Sequence, residues 1–347
     1  MALRAIEACG IGRLWRWRRR HCLPILSLHG VMAAADGGAW RPLRQRLEPQ
    51  RLEAYLRVLT RAYTFIPLSR ALAGLRGEAP LPPYSIVLTF DDGYRNNMTH
   101  ALPVLRRFGI VPAIFLPTAH IDSGAPFLFD RLDYALGRLR EELAVEACGR
   151  VWEFPLERAA RARVFSALRD EMKRHRYEDN EYRAALTGIV ERCEQAAGAA
   201  LRDVPPPDNW TALLTWDEAR PLARAGAVEF GSHTVRHARL ARLDPRAARD
   251  ELRESRRRIE QELGQPCLTL SYPNGSYDAQ VARMTEEEGY AAALTTRKDI
   301  NRLGDDVFAL QRIPIPHNLT PRNLLIRASG LSAAWRRRFR RKRPAPA

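Results

Sequence analysis

Short, uninterrupted apolar runs recur along the chain: Leu23–Leu28, Ile86–Phe90, Pro112–Leu116, Val228–Gly231, Leu268–Tyr272, Ala293–Thr296 and Arg312–Ile315. Runs of this length, rich in β-branched and aromatic residues, predict buried strands. Between them the apolar positions fall at helical spacing, over Leu43–Tyr63, Leu68–Leu75 and Met98–Phe108. Thr215 to Glu218 fits a capping box and starts a helix ending at Gly226, and Asp244-Pro245 starts one reaching about Leu263, before Gly264. Strand and helix therefore alternate, which predicts an α/β fold of parallel strands joined by right-handed crossovers.

The rhythm changes between about 127 and 205. Leu132, Ala135, Leu136 and Leu139 recur at helical spacing, as do Val164, Leu168 and Met172, and then Ala184, Leu186, Ile189 and Val190. No strand-like run of comparable length is read there, so this stretch is expected to be a helical insertion closed by Pro205-Pro206-Pro207. The expected organisation is a basic arm over 1–20, one fold over 21–325 carrying the insertion, and a basic tail over 326–347.

Charge alters this picture only at the ends. The 347-residue chain has 56 Lys plus Arg against 40 Asp plus Glu, a net +16, and much of the excess lies in Trp15–Arg20 and Trp335–Arg343. Such ends suit peripheral contact with an anionic membrane, or act simply as solvated tails. The stretch between them is closer to balance, which argues against a nucleic-acid-binding core. Five cysteines, Cys9, Cys22, Cys148, Cys193 and Cys267, include no CxxC pair. That pattern fits a reducing compartment better than a disulfide framework or zinc knuckle. No secretory leader and no bilayer-spanning apolar run is read, so a cytoplasmic place, with membrane contact at most peripheral, is expected.

Two stretches carry the chemistry. Ser85–Asn97, SIVLTFDDGYRNN, runs from a strand straight into Asp91, Asp92 and Gly93. Strand ends of parallel sheets present catalytic groups at one rim, and two adjacent carboxylates repel unless a cation sits beside them. A solvated Asp-Gly turn is the plain alternative. The second stretch, Phe230–Leu240, FGSHTVRHARL, also follows an apolar run and holds His233 and His237. Four residues apart on one helical turn, both imidazoles would share a face. Two neutral imidazoles and a carboxylate make a three-ligand site with room for water, the makeup of catalytic zinc, with cobalt or nickel also suited.

TFDDG followed by HTVRH resembles the NodB-like polysaccharide deacetylases, carbohydrate esterase family 4. SYPNG at Ser271–Gly275 and GYAAALTT at Gly289–Thr296 are similar to later motifs of that family. The resemblance covers roughly residues 23–119 and 210–316. It implies an incomplete (β/α) barrel of about seven parallel strands that removes N-acetyl groups from a polysaccharide, oligosaccharide or sugar precursor. It also implies roles: Asp92, His233 and His237 hold a divalent metal, zinc first, and Asp91 is the general base.

The backbone near Asn274 would supply an oxyanion donor, and Thr234 would steady Asp92 or another ligand. His29, in LSLHGV, is the first choice for the general acid, and His317, in IPIPHNL, the second. Many relatives carry an Arg where this chain has Ser271, and Arg312 is the candidate replacement. Tyr94, Trp216, Tyr272 and Tyr277 are candidate sugar-stacking residues or plain packing. The missing Arg leaves open a non-catalytic glycan-binding member of the fold, and the basic ends leave open a membrane- or nucleic-acid-surface protein.

Overall fold

The computed structural model describes residues 11–32, 41–44, 46–174, 178–204 and 210–334. Its strands are β1 (Ile25–Leu28), β2 (Thr64–Phe65), β3 (Ser85–Phe90), β4 (Ala113–Leu116), β5 (Leu143–Ala147), β6 (Arg150–Phe154), β7 (Glu229–Ser232), β8 (Thr269–Ser271), β9 (Ala292–Leu294) and β10 (Ile313–Pro314). All seven apolar runs become strands. They lie in the order β10-β1-β3-β4-β7-β8-β9, and every pairing along this path is parallel. The result is an open half-barrel whose strand ends share one rim. β2 adds a short parallel pairing to Ser85 and Ile86 of β3, ahead of the Thr89 and Phe90 positions that β4 takes.

Alternation along β3 sets both faces of the sheet. Ile86, Leu88 and Phe90 pack outward into the main core with the helices Pro49–Leu59, Leu102–Arg107 and Pro245–Leu263. Val87 points the other way, into a cluster with Ile25, Phe115 and Leu294 and the helix Leu68–Leu75. Each such fully buried side chain stabilises the fold by about 1.5–3 kcal/mol. Thr89 and Asp91 share the parity of Val87, so Asp91 stands over the barrel interior. Gly231 of β7 has no room for a side chain there: a Cβ would lie 2.6 Å from the Phe115 ring.

Four expectations need correction. The insertion between β4 and β7 is not purely helical: β5 and β6 form an antiparallel hairpin between the helices Leu128–Arg138 and Arg158–Arg174. Its turn residues, Cys148 (φ 53°) and Gly149 (φ 69°), are both left-handed, as a tight hairpin requires. The helix expected from Leu43 starts only at Pro49, because Leu47 instead bridges Val31. The Met98–Phe108 segment opens as a π-turn at Asn97–Ala101 before Leu102–Arg107.

The ends are not separate arms either. Ile11–Arg18 is a helix whose Trp15 Nε1 donates to the Ser329 carbonyl at 3.0 Å. Leu324, Leu325 and Ile326, in the helix Pro321–Ala328, are buried, so the fold continues past 325. Cys9, the three-proline linker and the tail from Trp335 lie outside the described residues. Cys22, Cys148, Cys193 and Cys267 form no disulfide. Among the described residues no helix is long and apolar enough to cross a membrane.

Candidate active site

β3 is buried at all six positions and delivers two acids into the rim. Asp92 (φ 74°) and Gly93 (φ 64°) are both left-handed, which swings the second carboxylate away from the strand direction. A non-glycine residue held there stores strain of about 1–3 kcal/mol, a cost typical of functional positions. Asp91 meets Arg312 from β10's leading edge in a two-pronged pair, Nη1 to Oδ1 at 2.7 Å and Nη2 to Oδ2 at 2.8 Å. Arg312 is itself buried, and its Nε donates to the Thr295 carbonyl at 2.9 Å. Its Nη2 also donates to Ser271 Oγ at 3.0 Å. Burial pushes the Asp91 carboxyl up, but Arg312 and the nearby imidazoles outweigh it and hold it at about 2.

The imidazole pair does not sit on a helical turn. β7 ends at Ser232, and residues 233–238 form a loop in which Thr234 (φ 66°) and His237 (φ 55°) are left-handed. This bend, rather than helical spacing, brings the rings to 4.8 Å between centroids. The loop is fixed from several sides. Glu251 accepts from Val235 N at 2.8 Å and Arg236 N at 2.9 Å. Thr234 Oγ1 accepts from Ala238 N at 3.0 Å, so its hydroxyl steadies the loop around His237 and not Asp92.

Asp92 Oδ1 lies 3.5 Å from Nε2 of both His233 and His237. One ligand atom from each of the three fits within 4.8 Å of the others. His233 Nδ1 faces the Ser271 carbonyl at 2.6 Å. A carbonyl only accepts, so Nδ1 donates there and Nε2 is the ring nitrogen turned towards Asp92. Burial and then the neighbouring His233 ring depress His237 to about 3, against the pull of Asp92, so its ring is neutral at ordinary pH. Burial opposes ionisation of Asp92 too, yet His29, His233 and His237 hold its carboxyl well below the usual range. Two imidazoles and an ionised carboxylate, held in place by these contacts, are a donor set that fits a borderline divalent cation.

A family model described as polysaccharide deacetylase matches residues 78–293, which takes in both motifs and the insertion. The chain belongs to the polysaccharide deacetylase family. Hydrolysis of amide bonds is the activity of that family. A curated relative, YxkH of Bacillus subtilis (strain 168), is 26% identical over 102 residues, 29% of this chain and 36% of that protein. The match thus spans about a third of the relative's length. Among solved structures, the deacetylase PplD of Streptococcus pyogenes, in complex with acetate, aligns over 88% of this chain and 96% of its own, with 17% identity and a TM-score of 0.57. IcaB from Ammonifex degensii aligns over 89% and 97%, with 15% identity and a TM-score of 0.57. At these identities the two structures establish the deacetylase fold.

The remaining predicted residues divide. His29, one residue past β1, is exposed at the rim; desolvation by the surrounding wall lowers its pKa, while Asp92 and Asp91 pull it up. His317 follows β10 on the neighbouring strand end, half-buried in a loop whose Pro316 and Leu319 carbonyls accept from Tyr55 Oη. Asn274 is left-handed (φ 55°) in a tight turn closed by the N–H groups of Gly275 and Ser276, so its own N–H is spent in neither bond. Tyr272 is a correction: it is 0% exposed, its hydroxyl donates to the Phe308 carbonyl at 3.1 Å, and it packs against Tyr277 inside the fold. Tyr94 is another: it is buried and its hydroxyl donates to Asp130 Oδ2 at 2.6 Å, bracing the insertion and offering no free group to a sugar. Trp216 likewise donates to Asp122, at 2.6 Å.

Sequence reasoning missed the insertion's share of the site. The Phe127 ring sits edge-on to His237 at 5.4 Å and packs on His120 at 4.4 Å. Lys173, on Arg158–Arg174, is exposed but walled in, within the field of Asp92; desolvation by that wall, then Arg169 and Arg44, depress it to about 8. Nothing in their local sequence marks these residues, because the insertion reaches the rim only once folded.

Proposed function

We propose that this chain removes N-acetyl groups from an amino-sugar glycan or sugar precursor, using a divalent metal held by Asp92, His233 and His237. The observation that carries the reading is the convergence of these three donors beside an Asp91 clamped by Arg312. A bound cation there would lower the pKa of a coordinated water and polarise the acetamide carbonyl. Asp91, ionised and fixed in orientation, takes a proton from the attacking water. The Asn274 backbone N–H is the donor assigned to the developing oxyanion. His29 delivers a proton to the departing amine, so that acetamide and water become acetate and free amine. Zinc suits the donor set best, with cobalt or nickel as substitutes. The Arg312–Asp91 pair supports this reading over a non-catalytic glycan-binding one, whose motive is the absent Arg at Ser271.

The test is metal content together with acetate release from N-acetylglucosamine oligomers. Asp92→Ala and His233→Ala should lose both bound metal and turnover. His29→Ala should keep metal and lose about 10²–10⁴-fold in turnover. Full activity after complete chelation would end the metal-dependent reading. A silent His29→Ala beside a crippled His317→Ala would move the acid to His317.

A further inference from the structure

The first helix and the described end of the chain, residues 321–334, come from opposite ends of the sequence and meet on one surface. The helix Ile11–Arg18 turns Gly12 and Trp15 inward, where Trp15 bonds to Ser329 at 3.0 Å and carries Arg19 over its ring at 4.4 Å. Arg19 also covers Gly330, where a Cβ would meet its Nη1 at 2.7 Å. Residues 331–334 then begin another helical turn, and the sequence runs on as WRRRFRRKR from Trp335. The outward face of the first helix is Arg13, Leu14, Trp17 and Arg18. Leu14 is 58% exposed and Trp17 53%, the two largest apolar side chains there, with arginines on either side.

Topology fixes where this surface lies. The chain passes from the helix into β1, whose far end carries His29. The Arg20 carbonyl accepts from Tyr84 N, just ahead of β3, and Leu23 bridges Asn301. These contacts precede strands that all run parallel, so the basic surface sits at the amino end of the half-barrel, opposite the rim that holds Asp91, Asp92, His233 and His237.

We infer that the helix Ile11–Arg18, seated on the Ser329–Gly330 turn, forms a docking surface for an anionic lipid bilayer, which holds the barrel by its amino end and turns the catalytic rim away from the lipid. Arginines complement acidic headgroups, and an aliphatic side chain beside a tryptophan matches the headgroup–acyl boundary. Leu14 has no comparable partner on a phosphate backbone, which favours lipid over nucleic acid. The inference is independent of the proposed reaction.

The test uses the full chain and sedimentation with vesicles of phosphatidylcholine alone or with about one-third phosphatidylglycerol. The protein should sediment only with the anionic vesicles and be released as salt rises. Replacing Leu14 and Trp17 together by Ser, which leaves net charge unchanged, should weaken binding at least tenfold. Arg13→Glu with Arg18→Glu should do the same. Hydrogen exchange on vesicles should protect 11–18 and 321–334 and leave 91–97 and 233–238 as they are in solution. The inference is overturned by an absence of anionic-vesicle binding, by binding that the double Ser variant leaves intact, by protection at the catalytic rim, or by duplex DNA outcompeting the vesicles.

Discussion

Removing the Arg312 side chain would leave the Asp91 carboxylate buried, ionised and without its two-pronged partner. Breaking a buried pair from one side costs about 3–5 kcal/mol, so Arg312→Met should lower stability by that order in urea unfolding. The pH dependence follows from the sign of the Asp91 shift. Its carboxyl sits at about 2 in the fold against an ordinary 3.8. A depressed acid stabilises above the ordinary value, and that contribution is lost as pH falls through 2. Without Arg312 the folded value rises, so the acid-unfolding midpoint of Arg312→Met should move to higher pH than that of the parent. Arg312→Lys should fall between, keeping the charge but not the fork. At this scale the sequence was informative where a residue sat in a local motif, as Asp91, Asp92, His233 and His237 do. It was uninformative about orientation: nothing in SYPNG shows that Tyr272 turns inward, and nothing in FDDGY shows that Tyr94 is claimed by Asp130.

The imidazole loop and the insertion depend on each other. Asp179, first residue of the helix Asp179–Ala197, accepts from Arg239 N at 3.0 Å and Nε at 3.3 Å, with both side chains buried. Arg183 of that helix donates to the Arg236 carbonyl at 2.9 Å. Asp179→Ala should therefore do two things. Stability should fall by about 1–3 kcal/mol through the loss of these buried charge-assisted bonds. Metal affinity, read by competition with a chelating dye, should fall about 10–100-fold, because the loop bearing His237 loses a support. Element boundaries show why the hairpin was overlooked. Val145, Ala147, Trp152 and Phe154 are buried alternately about the left-handed Cys148-Gly149 turn, a strand rhythm present in the sequence. It was overridden by the stronger helical periodicity on both sides. The His-x-x-x-His spacing misled in the opposite direction: the proximity it suggests is real, but a strained loop produces it.

At the scale of the whole molecule, the described residues form two main packing units. The half-barrel core gathers β3, β4 and the outer helices, while the insertion has its own cluster around Leu132, Trp152, Phe165 and Val190. Separate clusters open separately, so native-state hydrogen exchange should show the insertion's amides exchanging at a lower opening free energy than those of β3 and β4. A single common value for both would contradict this. The parallel sheet was readable from alternating strand and helix signals, because each buried strand has to be almost wholly apolar. Where the insertion docks was not readable, because its contacts are single residues, polar like Asp130 and Asp179 or aromatic like Phe127, set far apart in the chain.

One of those residues, Asp130, limits how such proteins can be recombined. It sits on the insertion's helix Leu128–Arg138, yet its carboxylate is shared by Arg44, Arg46 and the Tyr94 hydroxyl, all contributed by the surrounding fold. A chimera that trades this segment for a relative's shorter or differently ordered one would leave two guanidinium groups crowded together with no counter-ion, beside Tyr94. The graft would have to carry its own carboxylate to that point, or replace both arginines in the recipient, before an otherwise complete set of reactive side chains could assemble.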